Sequence, residues 1–122
     1  MAVMQTRDTR TFIAGVDLST HQFQFVNLSS DGRVVIDAAA GGTWLGVLLN
    51  DPVTDNAATV AISGKVMVKA GGTIAAGAAV QGVSGEAVTA ASGDVVMGYA
   101  LESAVDSQIF AVELIQGGNV VA

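Results

Sequence analysis

Few side chains in this sequence could do chemistry, and their arrangement does not favour it. The single histidine, His21, follows Asp17, Ser19 and Thr20 in one short stretch that contains an acid, two hydroxyls and an imidazole. A Ser-His-Asp triad is defined by its geometry in the fold, and neighbouring residues of one loop rarely supply that geometry. We therefore interpret residues 17–21 as a turn that precedes a strand.

Metal, phosphate and carrier chemistry also lack their usual residues. One histidine and no cysteine cannot supply the three or four ligands of a zinc site, and the aspartates lie where turns are expected. Gly71 and Gly72 are not followed by the Gly-Lys-Ser/Thr of a phosphate loop. Lys65 and Lys69 flank Met67, as in biotinyl or lipoyl carrier domains, but carriers place their lysine at a turn tip. We predict no cofactor, no small-molecule substrate and no enzyme activity, and keep a carrier domain as an alternative.

The composition is that of a β scaffold. Val, Ala and Gly supply 54 of 122 residues, only 13% are charged, and the formal net charge is −6. Eleven acidic residues outnumber five scattered bases, which argues against direct nucleic-acid binding. There is no apolar run long enough for a membrane span, no secretory h-region at the start, and the absence of cysteine fits a reducing cytoplasm. Many apolar residues with few charges to cover them indicate a surface shared with partners.

Short apolar runs separated by turn residues predict eight or nine strands at about ten-residue spacing. Phe23 and Phe25 alternate with polar residues along the first run, which places both on one strand face. The Asp31-Gly32 turn joins this run to a hairpin partner. The predicted strands cover residues 22–28, 33–36, 43–49, 59–69, 78–81, 86–90, 94–101 and 108–115. The Gly/Ala-rich stretch 70–77 is predicted as a tight loop with a one-turn element, and residues 102–107 as a loop or a single helical turn.

The clearest alternation runs from residue 59 to residue 69. It places Val60, Ile62, Val66 and Val68 on one face, with Gly64 between them. A glycine inside such a run is typical of a bulge or a sharp bend. We therefore expect two strands that meet at a corner.

These elements predict an all-β fold, a compact small barrel or sandwich of about eight short strands with an extended N-terminal arm. Residues 1–11 form the arm, with net charge +1 against −7 for the remainder, and residues 12–122 form a single β domain. Trp44, the only tryptophan, is interpreted as a core anchor rather than a ligand platform. The thin core of small side chains favours an oligomer.

The order of several segments resembles the capsid decoration, or cement, proteins of tailed phages. The segments are residues 12–19 leading to 24–26, residues 31–35, 45–48, 68–77 and 93–102, where the last reads Gly-Asp-Val-Val-Met-Gly-Tyr-Ala-Leu-Glu. Each is weak alone, and the ordered set spans about residues 12–115. The arm is not covered.

The resemblance implies a β protein on the outer surface of an expanded phage head, often a homotrimer, that fastens neighbouring major capsid proteins. It would be made in the bacterial host cytoplasm and would carry no catalytic residues. We expect Arg7, Arg10 and Phe12 of the arm to contact the capsid, because an extended segment can add a strand to a sheet edge. A head-fibre base and a tail-tube subunit are the alternatives within the virion.

Overall fold

The computed structural model describes residues 5–36, 44–91 and 93–115. These residues form strands, turns and loops, with no helix among them. The nine strands are β1 (Gln5–Ile13), β2 (Phe25–Leu28), β3 (Val34–Val35), β4 (Gly46–Leu48), β5 (Ala57–Lys69), β6 (Ala79–Val83), β7 (Glu86–Thr89), β8 (Gly98–Ala100) and β9 (Ile109–Leu114).

The predicted all-β fold is confirmed. The strands form one sheet in the order β3-β2-β4-β5-β9-β8-β6-β7, and β1 pairs with β5 outside this path. All paired strands are antiparallel. The sheet is not closed, because β3 and β7 at its two ends do not pair with each other.

The first predicted hairpin is present with a shorter first strand. The Ser29 N–H donates to the Arg33 carbonyl oxygen over 2.8 Å, and β2 and β3 pair across this turn. Phe25 is fully buried, but Phe23 lies before β2 with a φ of 64°. That left-handed backbone breaks the alternation, so the prediction that both phenylalanines share one strand face is wrong.

The small-residue segments form turns without helical structure. The stretch 70–77 contains a turn that leads into β6, and residues 102–107 form a similar loop before β9. The one-turn element predicted for 70–77 is therefore absent. Glycine and serine with positive φ explain this, since Gly77 (84°) and Ser107 (69°) both leave the helical region.

The long run around Gly64 is one strand with a change of phase. Val60 belongs to one buried cluster, whereas Val66 and Val68 belong to another that also contains Ala61. The prediction that Val60 and Val66 share a face is wrong, because Gly64 has a φ of 102° and shifts the alternation by one residue. The expectation that two strands meet at this glycine is wrong, since β5 is one continuous strand from Ala57 to Lys69.

Two buried clusters fill the interior, and β5 contributes to both. The smaller contains Leu18, Val26, Leu48 and other residues of the β1–β4 region. The larger contains residues of β5, β6, β8 and β9, among them Phe110, and also Phe25 of β2, Val47 of β4 and Ala87 of β7. Trp44 joins the larger cluster, as predicted for a core anchor: it is 3% exposed, and its indole N–H donates to the Gly82 carbonyl oxygen over 3.2 Å.

The larger cluster is built around a local two-fold relation that the sequence reading did not anticipate. We name residues 70–79 the first loop and residues 100–109 the second loop. At the centre, the N–H of Ile74 donates to Ala104 O and the N–H of Ala104 donates to Ile74 O, both over 2.9 Å. The hydrogen-bond pattern of the first loop therefore recurs in the second loop, 30 positions later in the sequence.

Further hydrogen bonds repeat the same relation. The Ala70 N–H donates to Gln108 O over 2.8 Å, and the Ala100 N–H donates to Ala78 O over 2.9 Å. The strand pairs follow it as well, since β5 pairs with β9 and β8 pairs with β6. The backbone thus uses the same strand–loop–strand unit twice.

Candidate interaction surfaces

The residues that superficially suggested a triad bond to local partners. The Ser19 N–H donates to Asp17 Oδ1 over 3.0 Å, and this bond, with the Ser19 hydroxyl, lowers the pKa of Asp17 below its ordinary value. His21 lies 2.8 Å from Gln24 Oε1 through Nδ1, and its own N–H donates to Leu18 O over 3.0 Å. Residues 17–21 therefore form the predicted turn, with no Ser-His-Asp geometry.

Within residues 5–36, 44–91 and 93–115, no three His, Asp or Glu side chains are grouped as metal ligands would be. The same ranges contain no helix long and apolar enough to span a bilayer.

The two lysines that prompted the carrier alternative lie on β5, away from any turn tip. Lys65 is opposite Gln5 of β1 and Glu113 of β9. Lys69 is the last residue of the strand, and its Nζ lies 3.2 Å from Glu86 Oε2. A carrier lysine must project from a hairpin, so the structure gives this alternative no support.

The three residues predicted to contact a capsid all lie on β1. Arg7 falls within the first of two irregularities in the pairing with β5, between Thr6 and Asp8, and its side chain lies outside the described residues. Arg10 is exposed, whereas Phe12 is half-buried and packs against the smaller cluster. Residues 5–11 of the predicted arm thus lie on the sheet as part of β1, and the predicted boundary at residue 11 falls inside that strand. Residues 1–4 of the arm lie outside the described residues.

Exposed apolar side chains at the start of β5 form the first candidate surface, which we name the near surface. It contains Ile13, Val16 and Val53, of which Val53 is 48% exposed. Backbone bonds of Ala14 to Asn56 O and from Asp55 to Ala14 O hold these segments together.

The second candidate surface, the far surface, lies at the other end of β5. It contains Tyr99, Leu101, Val105 and Ile109, and Val105 is 61% exposed. Ile109 is opposite Lys69, the last residue of β5, whereas Ile13 is opposite Ala57, the first. Thirteen strand residues at about 3.3 Å each separate the two surfaces by at most about 40 Å.

A groove of about 460 Å³ lies between the two loops, beside the far surface. Ile74 and Ala104, which exchange the central hydrogen bonds, are both buried and form its floor. The other lining residues are Thr73 and Ala75 from the first loop and Ser103, Val105 and Gln108 from the second. The lining is mainly apolar, with hydroxyl and amide groups at its sides.

The sequence reading missed both the far surface and the groove. The usable signal was weak: Val66-Met67 recurs as Val96-Met97, and Ala70 recurs as Ala100. The rest of the two units differs in sequence, although their backbone hydrogen bonds coincide. Testing for internal repeats at a fixed spacing would have been the way to find them.

Comparison with known proteins gives a fold relationship. No protein-family model matches the sequence, and no curated protein matches it significantly. The structure is similar to the crystal structure of the N base of head fiber gp8.5 in bacteriophage phi29, with a TM-score of 0.71 and 21% sequence identity. The similarity covers 92% of this chain and 98% of that chain. The two proteins share a fold.

Proposed function

We propose that this chain is a structural protein of a tailed-phage virion that binds the outer surface of the head. The observation that carries the proposal is the fold shared, over nearly the full length of both chains, with the base of a phage head fiber. The sequence resemblance to capsid decoration proteins does not depend on this fold comparison. Both support a structural role in a phage virion.

In this proposal the protein is a decoration, or cement, protein that stabilises contacts between major capsid proteins. Such a protein needs at least two separate contact surfaces, because it must bridge subunits. The near and far surfaces, at opposite ends of β5, meet that need. Assembly as a homotrimer would multiply weak contacts into firm attachment. The protein would be made in the bacterial host cytoplasm and carried on the virion.

The β1 strand provides the proposed capsid contact. In the described part of the chain β1 pairs only with β5, so it borders the sheet, and a border strand is where another chain can add a strand. Arg10 is exposed on this strand. Arg7 and Arg10 would meet acidic groups of the capsid, and Phe12 would support the strand from the core side.

A head-fibre base is the second candidate, and the shared fold with the phi29 protein favours it directly. A base and a decoration protein both attach to the shell, but a base also holds a projecting fibre. The two candidates therefore differ in what lies above the domain on the virion. Images of the head surface distinguish them by the presence or absence of a fibre on the bound protein.

Binding to isolated heads tests the proposal. Heads from a phage that lacks the gene for this chain are mixed with the purified protein and sedimented. We expect the protein to sediment with the heads at a fixed stoichiometry. We expect Arg10→Glu to weaken this binding tenfold or more, and Arg10→Lys, which keeps the positive charge at the same position, to bind as the wild type does. Absence of the wild-type protein from the pellet would contradict the proposal.

A further inference from the structure

The two loops share a backbone but differ sharply in side chains. In the first loop, Gly71, Ala75 and Ala79 occupy the positions that Leu101, Val105 and Ile109 occupy in the second. Two more positions change from small to charged, with Gly72 and Ala76 replaced by Glu102 and Asp106. The second loop therefore has larger side chains than the first loop at five positions.

The first loop shows what this fold requires at these positions. Ala75 and Ala79 suffice for the same hydrogen bonds and the same turn, so Val105 and Ile109 are not needed to form the loop. Gly71 has a local reason, since a Cβ there would lie 3.0 Å from Glu86 Cβ on β7. Leu101 is not covered in that way and is 46% exposed.

These exposed apolar side chains lower the solubility of the isolated protein and do not stabilise its fold. Leu101, Val105 and Ile109 are all exposed, and Val105 also forms one side of the groove. The opposite side, with Ala75, is made of small residues. The groove thus has free space beside the apolar side chain of Val105. The exposed side chains of Leu101 and Ile109 extend the apolar surface outside the groove.

The charge around the groove indicates the nature of the partner. Residues 99–115 contain Glu102, Asp106 and Glu113 but no lysine or arginine. Lys65 and Lys69 of β5 lie opposite Glu113 and beside Glu86, respectively. The chain as a whole carries a net charge of −6, and its arm offsets this by only +1, so a second copy would bring mainly like charges to this surface, whereas a basic protein would not.

We infer that the groove between the two loops receives an apolar side chain from a basic segment of a different protein, with Val105 and Ile109 as its apolar contacts. This inference rests on the proposed function, in which the different protein belongs to the phage shell. Asp106, at the turn of the second loop, would meet a lysine or arginine of that segment. The far surface would then be a shell contact, separate from β1.

Three variants of the full chain test this assignment by co-sedimentation with heads that lack the protein. Val105→Ala combined with Ile109→Ala makes the second loop resemble the first, whose alanines are already compatible with the backbone. Ala75→Val fills the groove without removing apolar surface. Leu28→Ala is the control, because it removes a comparably exposed apolar side chain from β2. Circular dichroism and light scattering record fold and oligomeric state.

We expect the double variant and Ala75→Val each to weaken head binding at least tenfold, while Leu28→Ala binds as the wild type does. Wild-type affinity of both groove variants would overturn the inference and leave the proposed function intact. Failure of the wild type to bind heads would overturn both. A changed oligomeric state in the double variant would assign the surface to self-association, and a bound small molecule seen by native mass spectrometry in the wild type alone would assign the groove to a ligand; each overturns the inference.

Discussion

The two halves of the molecule, divided at Gly64 of β5, are built on different plans. The half before Gly64 joins β1 to β4 around a small cluster and has irregular pairing between β1 and β5. The half after it repeats one strand–loop–strand unit about a local two-fold. The first half thus presents a border strand, and the second presents two loops with a groove. The difference shows how one small sheet can offer two unlike surfaces.

The largest effect is expected from emptying the core of the repeated half. Phe110 is fully buried in the larger cluster, and Phe110→Ala should lower the free energy of unfolding by about 3–5 kcal/mol. Phe12→Ala, in the other half, should cost clearly less because Phe12 is only half-buried. Urea unfolding followed by the fluorescence of Trp44 measures both. Equal losses would show that the two halves depend on large side chains to the same extent.

Trp44 connects the two halves by packing against Gly82 of β6. We expect that no side chain can be added at Gly82. A Cβ on Gly82 would lie 2.3 Å from the indole Nε1, so Gly82→Val should destabilise the protein by about 3 kcal/mol through overpacking. Gly72→Ala is the matched control, since a Cβ there meets nothing within 4 Å. The urea midpoint separates the two, and a Gly82→Val protein as stable as Gly72→Ala would refute this packing.

These two halves were not equally predictable from sequence. The all-β class and the hairpin at Asp31-Gly32 follow from alternation and turn residues, because those are local properties. The change of face at Gly64 does not, since it depends on how β5 pairs with β1 and β9 at once. The groove between the two loops was missed because its two sides come from segments 30 positions apart. These segments share a backbone conformation but have different side chains, so their sequences do not show the relation.

A smaller, stabilising effect is expected where the two loops differ in backbone strain. Ser107 adopts a φ of 69° at the position where the first loop has Gly77, with a φ of 84°. A left-handed backbone is unfavourable for serine and accessible to glycine, so Ser107→Gly should raise the free energy of unfolding by about 0.5–1 kcal/mol. Thermal unfolding measures it. A loss of stability would mean that the serine side chain supports the second loop.

The smallest effect is expected on the stability of the fold at low pH. The Ser29 hydroxyl lowers the pKa of Asp31 from its ordinary 3.8, and the Ala111 N–H lowers that of Glu102 from 4.5. A lowered carboxyl pKa contributes stability above the ordinary value, which is lost as the pH falls through the folded value. Unfolding curves should therefore show a decline below about pH 4. Asp31→Asn should make this loss of stability at low pH smaller, because the variant lacks the Asp31 carboxyl. A pH dependence equal to that of the wild type would argue against this contribution.

Location on the virion tests the central claim most directly. Cryo-electron microscopy of phage heads from the wild type and from a strain that lacks this chain gives a difference map. The account predicts extra density of this fold on the outside of the head, with the far surface and β1 turned toward the shell. Identical heads in the two strains, or density confined to the tail tube, would contradict it.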